Sequence, residues 1–450
     1  MQGRQQQPFA AARPVSYRPL LLAAALLALT GCSTYSLRHY DMHRSLASGD
    51  PGLALQMLEM RLPAGRDRTL YDLNKGMLLR LTGDYTASNE LLESAKQEMQ
   101  RLSATSISEN LSALAINEAT RSYAGQPYEQ LLLHAYKALN YLSLDQADGA
   151  RVEMLQADVK MREWTAGNDI EGILASAFVR YLAGVVFEIN REWSEALIAY
   201  RKAYEIYQET DRPVPVCLQK DLLRLTAHLG LADEHKRLKA SFNREAWRSV
   251  EDLQRQAELI VFYHQGLVSE LREQVIFSYS PELSHSVQIA VPFYELPVTY
   301  FPPAHIQAGG VSAETELLEN VDQLARDNLA VRLPGITLRA VTRMAVKKKV
   351  AHEARQENAL AGFFADVVGL ATERADTRSW STLPSSVQVA RLVLPPGEHR
   401  IHIGNTGVPL NENTDETRSE ATEGLTVKLS PGDKKVLSIH ATGQLHYSRY

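Results

Sequence analysis

The 450-residue chain predicts an α+β fold: an N-terminal array of helices, followed by a small β-sandwich-like domain with a helical insertion. Two observations carry this reading. Prolines are sparse between residues 37 and 275, where there are five, and dense from 276 onward, where there are eleven. The apolar period changes in the same place, from the 3.6 of helices to the alternation and turn punctuation of strands. Length alone suggests two or three domains, and the proline shift favours two, covering residues 32–257 and 258–450. With 45% hydrophobic and 22% charged residues, the composition is globular.

The first forty residues contain no Asp or Glu. Arg4, Arg13 and Arg18 precede an apolar run from Leu20 to Leu29, and Leu29-Thr30-Gly31-Cys32 follows. A basic start, a ten-residue apolar run and small residues after it form a secretory signal, and the run is half a membrane span. The last four residues resemble a bacterial lipobox. That resemblance implies a lipoprotein signal peptide over residues 1–31, cleavage between Gly31 and Cys32, and acyl chains on Cys32. The alternative is an ordinary signal peptide that happens to contain a cysteine. Each buried methylene contributes about 0.8 kcal/mol, so one acyl chain holds weakly and two or three hold firmly. Ser33 stands where an inner-membrane retention signal places Asp, which points to the outer membrane and its periplasmic face. Without residues 1–31 the chain keeps 45 basic against 53 acidic side chains, a net of −8. Such a charge excludes broad attraction to nucleic acid or to anionic lipid.

The helical region contains weak repeats. The clearest is Gly184-x2-Phe187-x8-Ala196-x3-Tyr200-x2-Ala203. A second is Gly76-x2-Leu79-x8-Ser88-x3-Leu92-x2-Ala95, with Gly83-Asp84-Tyr85 at the turn between its helices. A third, partial unit is Gly49-Asp50-Pro51 followed by Ala54, Leu55 and Leu58. These spacings resemble the tetratricopeptide (TPR) pattern, in which small residues let paired helices approach and large ones fill the gaps. Gln100 and Gln208 stand where that pattern places proline, and residues 107–124 and 128–162 fit the register poorly. An irregular helical array is the alternative.

The second region opens with a strand over Glu258–His264, then strands at Val275–Tyr279 and Ser286–Phe293. Residues 314–333 return to helical period through Leu317, Val321, Leu324 and Leu329, and Pro334-Gly335 should break that helix. A second helix is expected from Ile336 to Asn358, and a third apolar segment from Ala359 to Thr372, so the insertion spans about 314–372. Strands resume at Val387–Leu394, Glu398–Gly404, Gly424–Leu429 and Lys434–His440, with hairpin turns at Pro395-Pro396-Gly397 and Pro431-Gly432-Asp433.

Asp376-Thr377-Arg378-Ser379-Trp380-Ser381-Thr382-Leu383-Pro384, followed by Val387-Gln388-Val389-Ala390-Arg391 and Leu394-Pro395-Pro396-Gly397, resembles the C-terminal signature of an uncharacterised family of proteobacterial TPR-like outer-membrane lipoproteins. Val261-Phe262-Tyr263-His264-Gln265-Gly266 and Ile289-Ala290-Val291-Pro292 fit the same family. The resemblance spans most of residues 32–450 and implies no known reaction. It implies proximity to genes for a penicillin-binding-protein activator lipoprotein. The piece Leu394–Ile403 also resembles PEGA-type surface modules.

Catalytic signatures are missing. There is no Gly-x-Ser-x-Gly elbow, Walker loop or Gly-x-Gly-x-x-Gly fingerprint. His352-Glu353 opens like a zinc-protease helix, but Gln356 replaces the second imidazole. His399 and His402 alternate to opposite faces of a strand. No metal and no cofactor is expected. Cys217, flanked by Val216 and Leu218, reads as a small buried hydrophobe, or else as a reactive thiol. The acidic run Glu412, Asp415, Glu416, Glu420 and Glu423 reads as a solvated loop, with calcium as the alternative. Phe187, Trp193, Tyr200, Tyr204 and Tyr207 read as core, or as the lining of a peptide groove. Arg339, Arg343 and Lys347, with Lys348 and Lys349, form a basic helical stripe. The stripe is either a solvated face or a contact for an acidic partner.

These features together predict a non-enzymatic scaffold or adaptor, membrane-held through its lipid anchor, with a protein partner in cell-envelope assembly and no nucleic acid. A structural subunit of an envelope export complex, or a hydrolase with an unrecognised site, are the alternatives.

Overall fold

In the computed structural model, residues 39–106, 121–165, 175–280, 285–295, 300–357, 374–405, 425–442 and 445–447 are described. Helices come first, in antiparallel pairs: α1 (Tyr40–Ala47) with α2 (Pro51–Glu59), α3 (Arg68–Leu81) with α4 (Tyr85–Ser106), and α5 (Pro127–Ser143) with α6 (Ala147–Thr165). The series continues with α7 (Ala177–Ile189) and α8 (Trp193–Glu209), then α9 (Val216–His228) and α10 (Ala232–Phe242).

One turn geometry recurs in all five pairs. Each is a three-residue link whose middle residue has positive φ: Gly49, Gly83, Asp145, Arg191 and Gly230. The middle N–H bonds to the carbonyl three residues back, and the next N–H to the carbonyl five back, as in Gly83 to Arg80 and Asp84 to Leu79. This is a Schellman-type stop, for which glycine is the unstrained residue and Asp a tolerated one. The array is therefore a helical repeat. Residues 128–162 share the geometry that their sequence hides, because Asp145 stands where two other pairs show glycine with Asp after it. The small residues of the repeats have their expected role. A Cβ at Gly184 would overlap the Tyr200 ring, and one at Gly76 would lie 3.0 Å from Leu92.

After the short helix α11 (Val250–Arg255) the chain enters β1 (Ala257–Gln265). Next come β2 (Leu271–Ser280), β3 (His285–Tyr294), β4 (Ala304–Ala308), β5 (Val311–Glu314), β6 (Glu316–Asn320) and the long helix α12 (Val321–Glu357). The last strands are β7 (Ser386–Leu394), β8 (Gly397–Asn405), β9 (Leu425–Leu429), β10 (Lys434–Ala441) and β11 (Leu445–Tyr447). Three sheets result. One has the order β11-β10-β1-β7-β6, another the order β5-β4-β8-β9, and β2 pairs with β3 alone. Within the five-stranded sheet β1 and β10 run parallel, while its other pairs are antiparallel.

The five-stranded sheet is covered on both faces, and alternation assigns each residue. Leu259, Val261, Tyr263, Ala390, Leu392, Leu437 and Ile439 pack on Ile306, Ile401, Ile403, Val427 and Leu429 of the four-stranded sheet. Ile260, Phe262, Val387, Val389 and Val436 join the apolar core of the helical array. One core thus runs from α1 to β10.

Two expectations for the insertion need correction. Residues 316–320 are strand β6, paired with β7, and the helix starts at Val321. Leu317 had supplied an apparent helical spacing, but the buried neighbour is Leu318. Pro334 does not break the helix; it lies inside α12. The two halves are held separately, Leu324 and Ala325 in the main core and Ala340 and Met344 against Ile289 and Val291 of β3. That packing offsets the N–H bond lost at the proline. Residues 359–372 lie outside the described residues.

Gly184→Ala should lower stability by about 1–3 kcal/mol through overpacking against Tyr200. Asp145→Gly, at positive φ, should be neutral or stabilising. Urea unfolding of both variants checks the pair of outcomes.

Candidate functional site

The first helices of four pairs, α3, α5, α7 and α9, share one side of the array, the side on which a TPR protein holds a peptide. Here the chain itself fills that surface. Its occupants are the segment 375–385 and the inner face of the five-stranded sheet, held at three polar nodes.

The first node fixes the segment against α3 and α5. Buried Glu129 on α5 accepts the Trp380 backbone N–H at 2.7 Å and the Tyr123 hydroxyl at 2.6 Å. Burial raises its carboxyl pKa against the pull of these donors. The Trp380 indole donates to Thr382 at 3.0 Å, and the Thr382 hydroxyl donates to Asn74 on α3 at 3.0 Å. Arg378 is buried over the Tyr123 ring, 5.3 Å from its centre, and donates to Asp67 at 3.1 Å and to Asp376 at 2.7 Å.

The second node lies under the middle of the sheet. Arg80 of α3 donates to Asn140 of α5 at 2.5 Å and to the Ser438 hydroxyl of β10 at 2.6 Å. His264 Nε2 lies 2.9 Å from that hydroxyl, and its ring stacks on His440 at 4.2 Å. A Ser–His pair at this distance has the look of a nucleophile and base. Both side chains are buried, however, and a Ser-His nucleophile needs a substrate carbon within reach. Burial and the neighbouring Arg80 charge push the His264 pKa well below the usual imidazole value, so the ring is neutral.

The third node joins α7 and α9 to β1, β7 and β10 through three carboxylates and three cations. Arg391 of β7 bonds to Asp221 at 2.5 Å and lies 3.4 Å from Glu258. Arg224 of α9 bonds to Glu188 at 2.6 Å and pairs with Asp221 at 2.8 Å. Lys434 of β10 pairs with Glu188 at 2.9 Å and with Glu258. Tyr200 donates to Glu188 at 2.7 Å, and Tyr181 to Asp221 at 2.8 Å. Burial alone would raise the Glu188 carboxyl, but the charges of Arg224, Lys434 and Arg391 outweigh it and hold the group well below its usual range. Glu258 is lowered too, burial again being overcome, here by Arg391 and Lys434.

Two cavities reach this node. One of about 430 Å³ is lined by Asp221, Arg224, Glu258 and Arg391 together with Trp247 and Arg244. The other, of about 590 Å³, is lined by Glu188, Arg224 and Lys434 with Trp193. Opposite charges already neutralise each other here, so the node offers a ligand no net charge.

Edge strand β6 adds two helix caps. Glu319 accepts the Ser176 hydroxyl at 2.9 Å and the Phe178 N–H at 3.3 Å, at the start of α7. Glu316 accepts the Val216 N–H, and the Cys217 N–H at 3.2 Å, at the start of α9. A carboxylate at a helix N-terminus meets unpaired N–H groups and the positive end of the dipole.

The residues singled out in the sequence fall elsewhere. Gly31 and Cys32 lie outside the described residues, as does the acidic run 412–423. On α12, Arg343 is only 5% exposed and Arg339 is half-buried, so the two are not part of one solvated stripe. Both have partners. The side chains of Lys347, Lys348, Lys349 and His352 are outside the description. Cys217 is buried, and burial raises its thiol pKa well above the usual value. Phe187, Tyr200 and Tyr207 are buried, and Trp193 and Tyr204 are partly buried against the core, Trp193 also lining the larger cavity. His399 is buried and His402 exposed, on opposite faces of β8. Among the described residues no three His, Cys, Asp or Glu side chains converge as metal ligands, and no helix is long and apolar enough to cross a membrane.

Sequence reasoning missed all three nodes. A signal existed: Glu188, Glu258 and Arg391 each interrupt an otherwise apolar run.

No family model and no curated protein matches the chain. Among solved structures it is similar to MamA (residue 41 to the end) from Desulfovibrio magneticus RS-1, with 16% identity and a TM-score of 0.30 over 46% of this chain and 90% of that one. MamA from AMB-1 gives 15%, 0.29, 46% and 87%. The apo form of RapI gives 9% identity and a TM-score of 0.35, over 50% of this chain and 58% of that one. These neighbours are TPR-like proteins. The helical repeat described above rests on the chain's own helix pairs and turns.

Arg391→Met would leave Asp221 and Glu258 buried beside too little positive charge, and should cost about 3–5 kcal/mol in urea unfolding. Stability should also fall with acid, in two stages. His264 is neutral when folded, and an unfolded histidine binds a proton near pH 6.5, so stability falls as pH drops below about 6.5. Glu188 and Glu258 have lowered folded pKa values, so their contribution is present above about pH 4.5 and is lost as pH falls through those values. Urea midpoints between pH 8 and pH 2 check both stages, and His264→Gln should reduce the slope of the first, the rest of which belongs to His134 and His43, whose pKa values burial also lowers.

Proposed function

We propose that the chain is a lipid-anchored, periplasm-facing outer-membrane scaffold that binds a protein of the cell-envelope assembly machinery and catalyses no reaction. The helical repeat supports a protein-binding role. The lipobox resemblance supports anchoring at Cys32, and Ser33 supports the outer membrane. The family resemblance makes peptidoglycan synthesis the favoured client.

One observation sets how this scaffold works. The inner surface that a TPR protein offers to a peptide is filled in cis, so recognition falls to an outer surface. The hairpin β2–β3 and α12 form an arm with its own small core of Ile289, Val291, Ala340 and Met344. Beyond that core the arm exposes Val275, Ile276, Leu338 and Val341, with Phe277 at 73%. Val275 and Phe277 alternate away from the Ile289 and Val291 face that meets α12, so exposed apolar side chains lie on both sides of the arm, and such surface favours a protein contact. Acyl chains at Cys32 would confine the arm to a plane and raise its effective concentration against envelope machinery.

Photo-crosslinking in cells checks this reading, with a benzophenone side chain in place of Phe277, of Leu338 or, on the outer helix α8, of Ile198. The arm positions should give one discrete protein adduct and position 198 none. Adducts from 198 alone would contradict the assignment of the contact to the arm. Palmitate labelling should be lost in Cys32→Ala, and unchanged labelling would refute the anchor.

A further inference from the structure

A short loop follows α2 and carries apolar side chains that the fold leaves in water. Leu62 is 91% exposed and Met60 72%, and Tyr40 at the start of α1 is exposed beside them. Arg61 and Asp41 approach to 3.8 Å, which sets this loop against the first turn of α1. Residues 60–68 also carry three arginines, Arg61, Arg66 and Arg68, against one aspartate, the buried Asp67. Each guanidinium is exposed while lying within 4.0 Å of a carboxylate. Apolar tips among arginines are therefore clustered in a chain whose overall charge is −5.

The position of this cluster decides what it meets. Cys32 precedes His39 by seven residues, and seven residues reach about 25 Å at full extension. The chain from Cys32 enters α1 at Tyr40, next to the loop. Anything held by acyl chains on Cys32 carries the loop within reach of the bilayer surface. There the chemistry matches on both counts. Leu62, Met60 and the Tyr40 ring suit the boundary between headgroups and acyl chains, and arginine side chains pair with lipid phosphates while their stems lie along apolar surface.

We propose that Tyr40, Met60 and Leu62 enter the headgroup region of the anchoring membrane, with Arg61, Arg66 and Arg68 on phosphates, so that the first helix pair docks on the bilayer. The occupant of this patch is lipid. The inference rests on the proposed anchor at Cys32 and adds to it a fixed orientation of the array.

The test uses the full acylated chain in vesicles of phosphatidylethanolamine and phosphatidylglycerol. A Leu62→Cys variant carries an environment-sensitive fluorophore; acylation occupies Cys32, and Cys217 is buried. Val152→Cys on α6, also an exposed position, serves as the aqueous control. The label at 62 should shift to the blue and be quenched by brominated lipid at least about threefold more than the label at 152. Equal quenching at the two positions in protein that floats with the vesicles overturns the docking and leaves the anchor standing. Protein that does not float, or that floats equally well as Cys32→Ala, removes the anchor and the inference with it. A blue shift without lipid quenching means that protein covers the loop, and also overturns the proposal.

Discussion

The pairing of buried charges between helices α7 and α9 and strands β1, β7 and β10 is the constraint on which the rest of the structure depends. Glu188, Asp221, Glu258, Arg224, Arg391 and Lys434 come from five elements spread over residues 188–434. Apart, the array would keep Glu188 and Asp221 with only Arg224, and the sheet would keep Arg391 and Lys434 with only Glu258, so the charges balance only when sheet and array are together. The same seam carries the apolar residues Phe262, Val387 and Val389 against the array core. Helical repeat and sheet are therefore one unit in energetic terms, although they alternate between two kinds of secondary structure.

This unity changes what the helical repeat means for function. An open array offers its inner helices to a partner peptide. Here Asn74, Glu129 and Asp67, on or beside those helices, are engaged by Thr382, Trp380 and Arg378 of the same chain. The segment whose residues resemble a family signature is the segment that occupies the groove. Its composition thus has a structural explanation that calls for no reaction. On the proposed reading, recognition falls to surfaces the unit leaves exposed, the arm of β2, β3 and α12 for protein and the loop after α2 for lipid.

Much of the fold was legible because its elements are locally consistent. Strands β1, β7 and β10 were expected within a residue of their observed ends, but the turns after β7 and before β10, expected as hairpins, instead carry the chain between two sheets, because turn residues fix a reversal and not the pairing that follows it. The repeats at Gly76 and Gly184 were legible because close helix packing admits only small residues. The pair around Asp145 was obscured, since the turn fixes a backbone conformation rather than a residue type. Strand β6 was misread because five residues sample too little of either period, and Pro334 because tertiary packing overrode a local rule. The nodes were illegible for a different reason. A charge within an apolar run says that a partner exists, but its partner stands up to 358 residues away in sequence, as Ser438 does from Arg80. Arg343 is buried where the helical period placed it on one exposed stripe, because period alone cannot tell which helix face is covered.

The central claim is that residues 375–385 occupy the array's inner surface as part of one cooperative unit. Hydrogen exchange of the full chain, read by mass spectrometry over peptides from this segment and from α5 and α7, tests it most directly. The account predicts that amides of the segment exchange only as slowly as those of α5 and α7, and that Arg391→Met speeds all three together. Fast exchange of the segment over a still-protected array would contradict it.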